Sequence, residues 1–110
     1  MASRIDALKQ MLESDPGNTM VQFGLANEYL KAERYEEAIA LLNEYLARAD
    51  DEGAAYGMLA RAYLKTGRPE AARLVYERGI AAAQAHNHPS MAEEYRMTLA
   101  EMDQVAGRET

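Results

Sequence analysis

The sequence predicts an all-α protein of about six helices, stacked as antiparallel pairs in a single domain spanning residues 1–110. Three observations carry that expectation. First, a stretch recurs: residues 25–38 read LANEYLKAERYEEA, and residues 59–72 read LARAYLKTGRPEAA, an offset of 34. Eight of the fourteen positions are identical, among them Leu25/Leu59, Ala26/Ala60, Tyr29/Tyr63, Arg34/Arg68 and Ala38/Ala72. A fixed period of roughly 20–50 residues marks a stacked repeat architecture. Second, apolar residues fall at helical spacing between the breaks, and no strand-like alternation appears. Third, the breaks are short, so consecutive helices must run antiparallel.

The first helix is expected over residues 3–13. Ser3 can cap it with Asp6 as a capping-box partner, and Ile5, Leu8, Met11 and Leu12 share a face. Asp15-Pro16-Gly17-Asn18 stops it. The second runs over about 19–31, with Leu25, Ala26 and Tyr29 as its core strip and Met20, Phe23 and Leu30 at the sides. The turn Ala32-Glu33-Arg34 leads to a third, about 35–48, whose stripe is Ala38, Ile39, Leu42, Tyr45 and Leu46. Residues 49–53 form the next break, and their acids meet the positive end of the fourth helix, about 54–65. Gly67 suits a left-handed turn, and Pro69 the first residue of the fifth helix, which extends to about residue 85. After His86-Asn87-His88, Pro89 opens a sixth helix to about residue 105, closed by Gly107. The last three residues are expected to fray. The apolar side of that helix is Ala92, Tyr95, Leu99, Met102 and Ala106, which suits a solenoid cap.

Composition narrows the function classes. Hydrophobic residues make up 48% and charged ones 27%, as in an ordinary folded chain, but much of the apolar share is alanine, so the core is thin. The net charge of −6 argues against nucleic acid as a partner, because phosphate binding needs a basic face. No apolar run approaches a bilayer span, and MASRIDALKQ lacks a signal-peptide core. Without cysteine there is no disulfide, thiolate site or cysteine nucleophile. A cytoplasmic protein with no membrane partner fits these facts.

The doubled stretch resembles the tetratricopeptide repeat, a 34-residue helix–turn–helix unit. Residues 19–52 make one unit, with Leu25, Ala26, Tyr29, Tyr35, Ala38 and Leu42 at the signature places. Residues 53–86 make the next, with Tyr56, Leu59, Ala60, Tyr63, Gly67, Ala72 and Tyr76. Residues 3–14 look like the second half of a truncated unit, and residues 89–106 are the capping helix. Four residues depart from the pattern. Gln22 replaces a bulky aromatic, Glu33 the turn glycine, Tyr45 an alanine, and Asp50 the unit-ending proline. If the backbone at Glu33 is left-handed, the substitution costs about 1 kcal/mol.

The resemblance implies a right-handed superhelix whose first helices line a concave surface that binds a protein or peptide, without catalysis. The lining positions would be Met20, Phe23, Asn27 and Lys31, then Ala54, Gly57, Arg61 and Lys65, then Met91 and Tyr95 if the sixth helix continues in phase. The groove would be mixed apolar and basic. It suits a segment with apolar anchors and an acidic residue. Independently of the family, Met20, Phe23, Asn27 and Lys31 share a face offset from the core strip, and two large apolar residues beside an amide and a cation suit a binding surface. The alternatives are that Met20 and Phe23 are covered by a terminal helix, and that Lys31 and Lys65 merely complement the helix dipole. Some members grip a terminal carboxylate with a cationic set. Here only Asn27 fits that set, with Phe23, Met58, His88 and Ala92 in the other places, so no such clamp is expected. Self-association is the rival reading, since a stack this short gains from outside support; the expected state is a monomer or weak homodimer.

The search for chemistry yields little. His86 and His88 have the H-x-H spacing of metal ligands, but no third ligand is near in sequence, and a polar loop explains them. The pairs Glu36/Glu37, Asp50/Asp51 and Glu93/Glu94 point about 100° apart on a helix and do not converge. Ser3, Ser14 and Ser90 sit at helix ends, where they serve as caps. No catalytic, metal or cofactor constellation is expected, and the protein reads as a non-enzyme.

Overall fold

The breaks in the sequence become caps and turns. Ser3 opens α1 (Arg4–Ser14) with a capping box: its Oγ accepts from the Asp6 N–H at 3.1 Å, and Asp6 accepts from the Ser3 N–H. Asn18 caps α2 (Thr19–Lys31) by accepting from the Val21 N–H. Then follow α3 (Tyr35–Arg48), α4 (Ala54–Lys65), α5 (Pro69–Ala85) and α6 (Pro89–Glu109). The computed structural model describes residues 3–109, and the side chains beyond Val105, including Ala106, lie outside the described residues. Among the described residues there is no strand.

Three helix ends share one turn. The Arg34 N–H donates to Tyr29 O, the Arg68 N–H to Tyr63 O and the His88 N–H to Ala83 O, at 2.8, 2.8 and 2.7 Å. This six-to-one closure requires a left-handed residue. Gly67 supplies it freely at φ 73°, whereas Glu33 at φ 58° and Asn87 at φ 63° hold it with side chains. The same turn explains why tyrosine and arginine recur together. The Arg34 guanidinium stacks over the Tyr29 ring at 4.9 Å and that of Arg68 over Tyr63 at 5.4 Å, a favourable cation–π contact.

Small residues set the packing. Ala26 with Ala38, and Ala60 with Ala72, have no exposed surface, which lets α2 approach α3 and α4 approach α5. Leu42 and Leu59 are the largest wholly buried apolar side chains of the core. Substantial contact runs only between consecutive helices, giving an elongated stack of 48 × 31 × 19 Å. This is the expected all-α superhelix.

Two local expectations need correction. The sixth helix does not stop at Gly107 but passes through it to Glu109. Glycine ends a helix only where the chain must turn; in mid-helix it costs about 1 kcal/mol without breaking the ladder. Met11 does not share the packed face of α1. It is 53% exposed, while Ile5, Leu8 and Leu12 are partly buried against the core. α1 packs substantially on α2 alone, so a narrow stripe suffices.

Gln22 also has a structural cost. Its side chain is only 1% exposed. Nε2 donates to Pro16 O at 3.2 Å, but Oε1 has no hydrogen-bond partner. An unsatisfied buried acceptor costs roughly 1–3 kcal/mol. Gln22→Met keeps the volume and removes the orphan, and the carbonyl of exposed Pro16 can turn to water. The variant is expected to gain about 1 kcal/mol in urea denaturation; a loss would show that the amide bond to Pro16 outweighs the orphaned oxygen.

Candidate partner-binding groove

Helices α2, α4 and α6 border a groove of about 410 Å³. Asn27 lines it from α2, Met58 and Arg61 from α4, and Met91, Glu94, Tyr95 and Thr98 from α6, with Ala54 at one end. Five of the sequence-derived candidates, Asn27, Ala54, Arg61, Met91 and Tyr95, thus meet in one depression. Met20 and Phe23 line a second one of about 320 Å³ with Tyr45, Asp51 and again Ala54, so the two depressions adjoin. Lys31 and Lys65 line neither; both are exposed in last turns, and Lys31 Nζ lies 3.6 Å from Glu28 Oε1.

Gly57 and Tyr95 are largely buried against each other, and Tyr95, 7% exposed, presents little surface to the groove. A Cβ on Gly57 would lie 2.5 Å from Tyr95 Oη, and one on Gly79 would lie 3.0 Å from the other edge of the ring. The Tyr95 hydroxyl donates to Gly53 O at 2.7 Å, and its ring meets Tyr76 at 5.4 Å between centroids. Two mid-helix glycines therefore make a slot for one aromatic ring, which anchors α6 to α4 and α5. Burial raises the Tyr95 and Tyr76 hydroxyl pKa values, and the Arg61 charge lowers them by less.

In the polar part, Arg61 is exposed and has no ion-pair partner among the described residues. Glu94 lies on the wall formed by α6, a contribution hidden in sequence because Glu94 reads as part of a solvated face. The apolar part is more open: Met20 is 84% exposed. Behind it the Phe23 and Tyr45 rings pack at 5.4 Å.

Tyr45 was legible only as an anomaly, a ring where alanine is usual. It fills the space beside Phe23, and its hydroxyl donates to Asp51 Oδ1 at 3.0 Å. Asp51 Oδ2 in turn accepts from the Gly53 and Ala55 N–H groups, both at 2.9 Å, capping α4. Burial first, and then the Asp51 carboxylate, push the Tyr45 hydroxyl from 10.0 up to about 12. The folded state therefore favours the protonated phenol. Its contribution to stability is complete below pH 10.0 and is lost as pH rises toward about 12. In an absorbance titration near 295 nm, Tyr45→Phe is expected to remove one late-ionising phenol and flatten the alkaline loss of stability. Loss of a phenol that ionises near the ordinary 10.0 instead would count against the Tyr45–Asp51 bond.

The histidines meet carboxylates from a distant loop. His86 Nε2 lies 3.1 Å from Asp50 Oδ1, its Nδ1 lies 3.9 Å from Glu52 Oε1, and His88 Nε2 lies 3.6 Å from Glu52 Oε2. The two carboxylates approach different nitrogens of His86, so the four groups do not converge. Among the described residues no group of three could hold a metal ion, and no helix is long and apolar enough to cross a membrane.

Comparison with known proteins adds to this geometry. A family described as tetratricopeptide repeat matches residues 5–59 and again 29–93. Such repeats generally mediate protein–protein interaction and are generally non-catalytic. A search of curated proteins returns no match. Among solved structures, the chain is similar to the solution structure of a protein from Bordetella parapertussis, with 24% identity and a TM-score of 0.84. The likeness covers 99% of this chain and 95% of that one, and bears on the fold.

Proposed function

This chain belongs to the tetratricopeptide repeat family, and on that premise we propose that it is a non-enzymatic module that binds a protein or peptide segment in the groove between α2, α4 and α6. The ligand enters with an apolar side chain against Met20 and Phe23 and sets an acidic side chain against Arg61, with Asn27 between them. Met91 and Tyr95 form the far wall; Lys31 and Lys65 add positive charge near the ends, and Gly57 gives the space that Tyr95 fills. The units 19–52 and 53–86 each contribute one wall helix. The observation that supports this reading most directly is Arg61, exposed and without a counter-ion among the described residues, beside an open apolar shelf.

The test is a peptide-library selection on the full chain, followed by titration of the best binder. Phe23→Ala and Arg61→Ala are each expected to weaken it about tenfold or more, as for residues at the centre of an interface, with helicity unchanged. Affinity unchanged from the native chain in both variants would remove this mapping.

A second reading is that another copy of the chain occupies the shelf, favoured by the 84% exposure of Met20 next to Phe23. Sedimentation at two concentrations separates the two. A mass that rises with concentration and falls back in Met20→Glu supports the homodimer.

A further inference from the structure

A further depression lies between α1 and α3. Helices α1 and α3 both lean on α2, and the furrow between them has a volume of about 480 Å³, larger than that of the groove. Its floor is apolar, made by Leu12, Pro16, Leu25, Tyr29 and Leu41. Its length follows from the wall residues. They run from Lys9 to Glu13 on α1, with Pro16 just past its end, and from Glu37 to Glu44 on α3, seven residue steps along the longer wall. At 1.5 Å per residue that is roughly 10 Å, two turns of a helix.

The rim carries the recognition chemistry. Glu13 stands on the α1 wall and Glu44 on the α3 wall, both exposed, and neither has an ion-pair partner among the described residues. Glu37 is already committed, because the Arg34 guanidinium grips both of its oxygens at 2.7 and 2.6 Å. Lys9 is the one cation of the rim. Opposite carboxylates above an apolar floor select a ligand with apolar side chains on one face and cations on its flanks. The net charge of −6 makes a second copy of this chain a poor occupant of an acidic rim.

We infer that the α1–α3 furrow is a second docking site, which takes two turns of a cationic amphipathic helix, its apolar side chains on Leu12 and Leu41 and its lysines or arginines against Glu13 and Glu44. This is the helix-in-groove mode of recognition, with anchors at i and i+4. It is independent of the ligand in the groove, since no residue lines both depressions.

The probe is a synthetic helical peptide with leucines at i and i+4 and lysines on both flanks. Its control has the lysines replaced by glutamates. Each is titrated into the nitrogen-labelled full chain and followed by proton–nitrogen spectra. The lysine peptide is expected to shift the amides of Leu12, Glu13, Leu41 and Glu44, with affinity falling severalfold between about 50 and about 500 mM salt as screening grows. The double variant Glu13→Gln/Glu44→Gln is expected to weaken binding about fivefold, the scale of two exposed ion pairs. These side chains are exposed, so the substitutions leave the fold intact. Phe23→Ala/Arg61→Ala, which disables the groove, should leave this binding unchanged. Equal binding of the glutamate peptide would overturn the inference, as would shifts confined to Met20, Asn27 and Arg61, or no shift at all. Furrow shifts that follow protein concentration without peptide would overturn it too, in favour of self-association.

Discussion

Replacing Tyr95 with alanine is expected to cost about 3–5 kcal/mol of folding stability, the scale of buried aromatic truncations. The ring is 7% exposed, lies between Gly57 and Gly79, and packs on Tyr76. Neither glycine has a side chain to move into the void, so the site collapses poorly. The loss is also concentrated: Tyr95 is the largest buried side chain that α6 brings to the core. Urea denaturation should therefore show a lower midpoint together with a smaller slope, because an α6 already detached leaves less surface to expose. Tyr95→Phe keeps the ring and removes only the bond to Gly53 O, so it should cost about 1 kcal/mol. A Tyr95→Ala effect no larger than that of Tyr95→Phe would mean that the ring does not anchor α6.

Gly57→Ala is the second large effect, and its sign depends on Tyr95. In the native background the new Cβ would meet the Tyr95 hydroxyl oxygen at 2.5 Å and two carbons of its ring at 2.9 and 3.0 Å. Overpacking of this kind costs roughly 1–3 kcal/mol. The ring cannot retreat, because Gly79 lies on its other edge. Where Tyr95 is already alanine the clash is gone, and alanine in mid-helix is favoured over glycine by about 1 kcal/mol. The same substitution is thus expected to destabilise one background and stabilise the other, a coupling that a double-mutant cycle reads directly. Additive effects would separate the two residues and leave Gly57 without a packing reason.

The two residues also mark the limit of what the sequence discloses. The 34-residue offset, the small pairs Ala26/Ala38 and Ala60/Ala72, and the stops at Pro16 and Gly67 are enough to place the helices and their order. They act locally, and local signals are what a one-dimensional pattern records. Ser3 with Asp6 could be read as a cap for the same reason. Gly57 and Tyr95 are 38 residues apart, and their meeting depends on how α6 leaves α5, which is set by Asn87 in a left-handed turn. Asn87 carries no glycine signal, so the sequence shows this turn only as a polar loop. The approach of Asp50 and Glu52 to the two histidines was hidden likewise, because that pairing spans a whole unit. Gly107 misleads for the opposite reason: glycine permits a helix to stop without requiring it. In the groove, residue types that stay exposed, such as Met20 and Arg61, were legible from their helical face, whereas Glu94 needed the angle of α6.

Apart from the contact of Tyr95 with α4, the helices pack mainly on their neighbours in sequence, and this has a kinetic consequence. Every hairpin closes across a short turn, so no distant segments must find each other before energy is gained, and such chains fold among the faster proteins. The same connectivity makes opening directional. α1, with no fully buried residue, can peel away while α4, α5 and α6 stay locked around Tyr95. The stack then behaves like a zipper with one loose end and one pinned end. Its amide protons should exchange earliest at the terminus of the chain that carries one wall of the α1–α3 furrow, and a ligand there would act first by slowing that fraying.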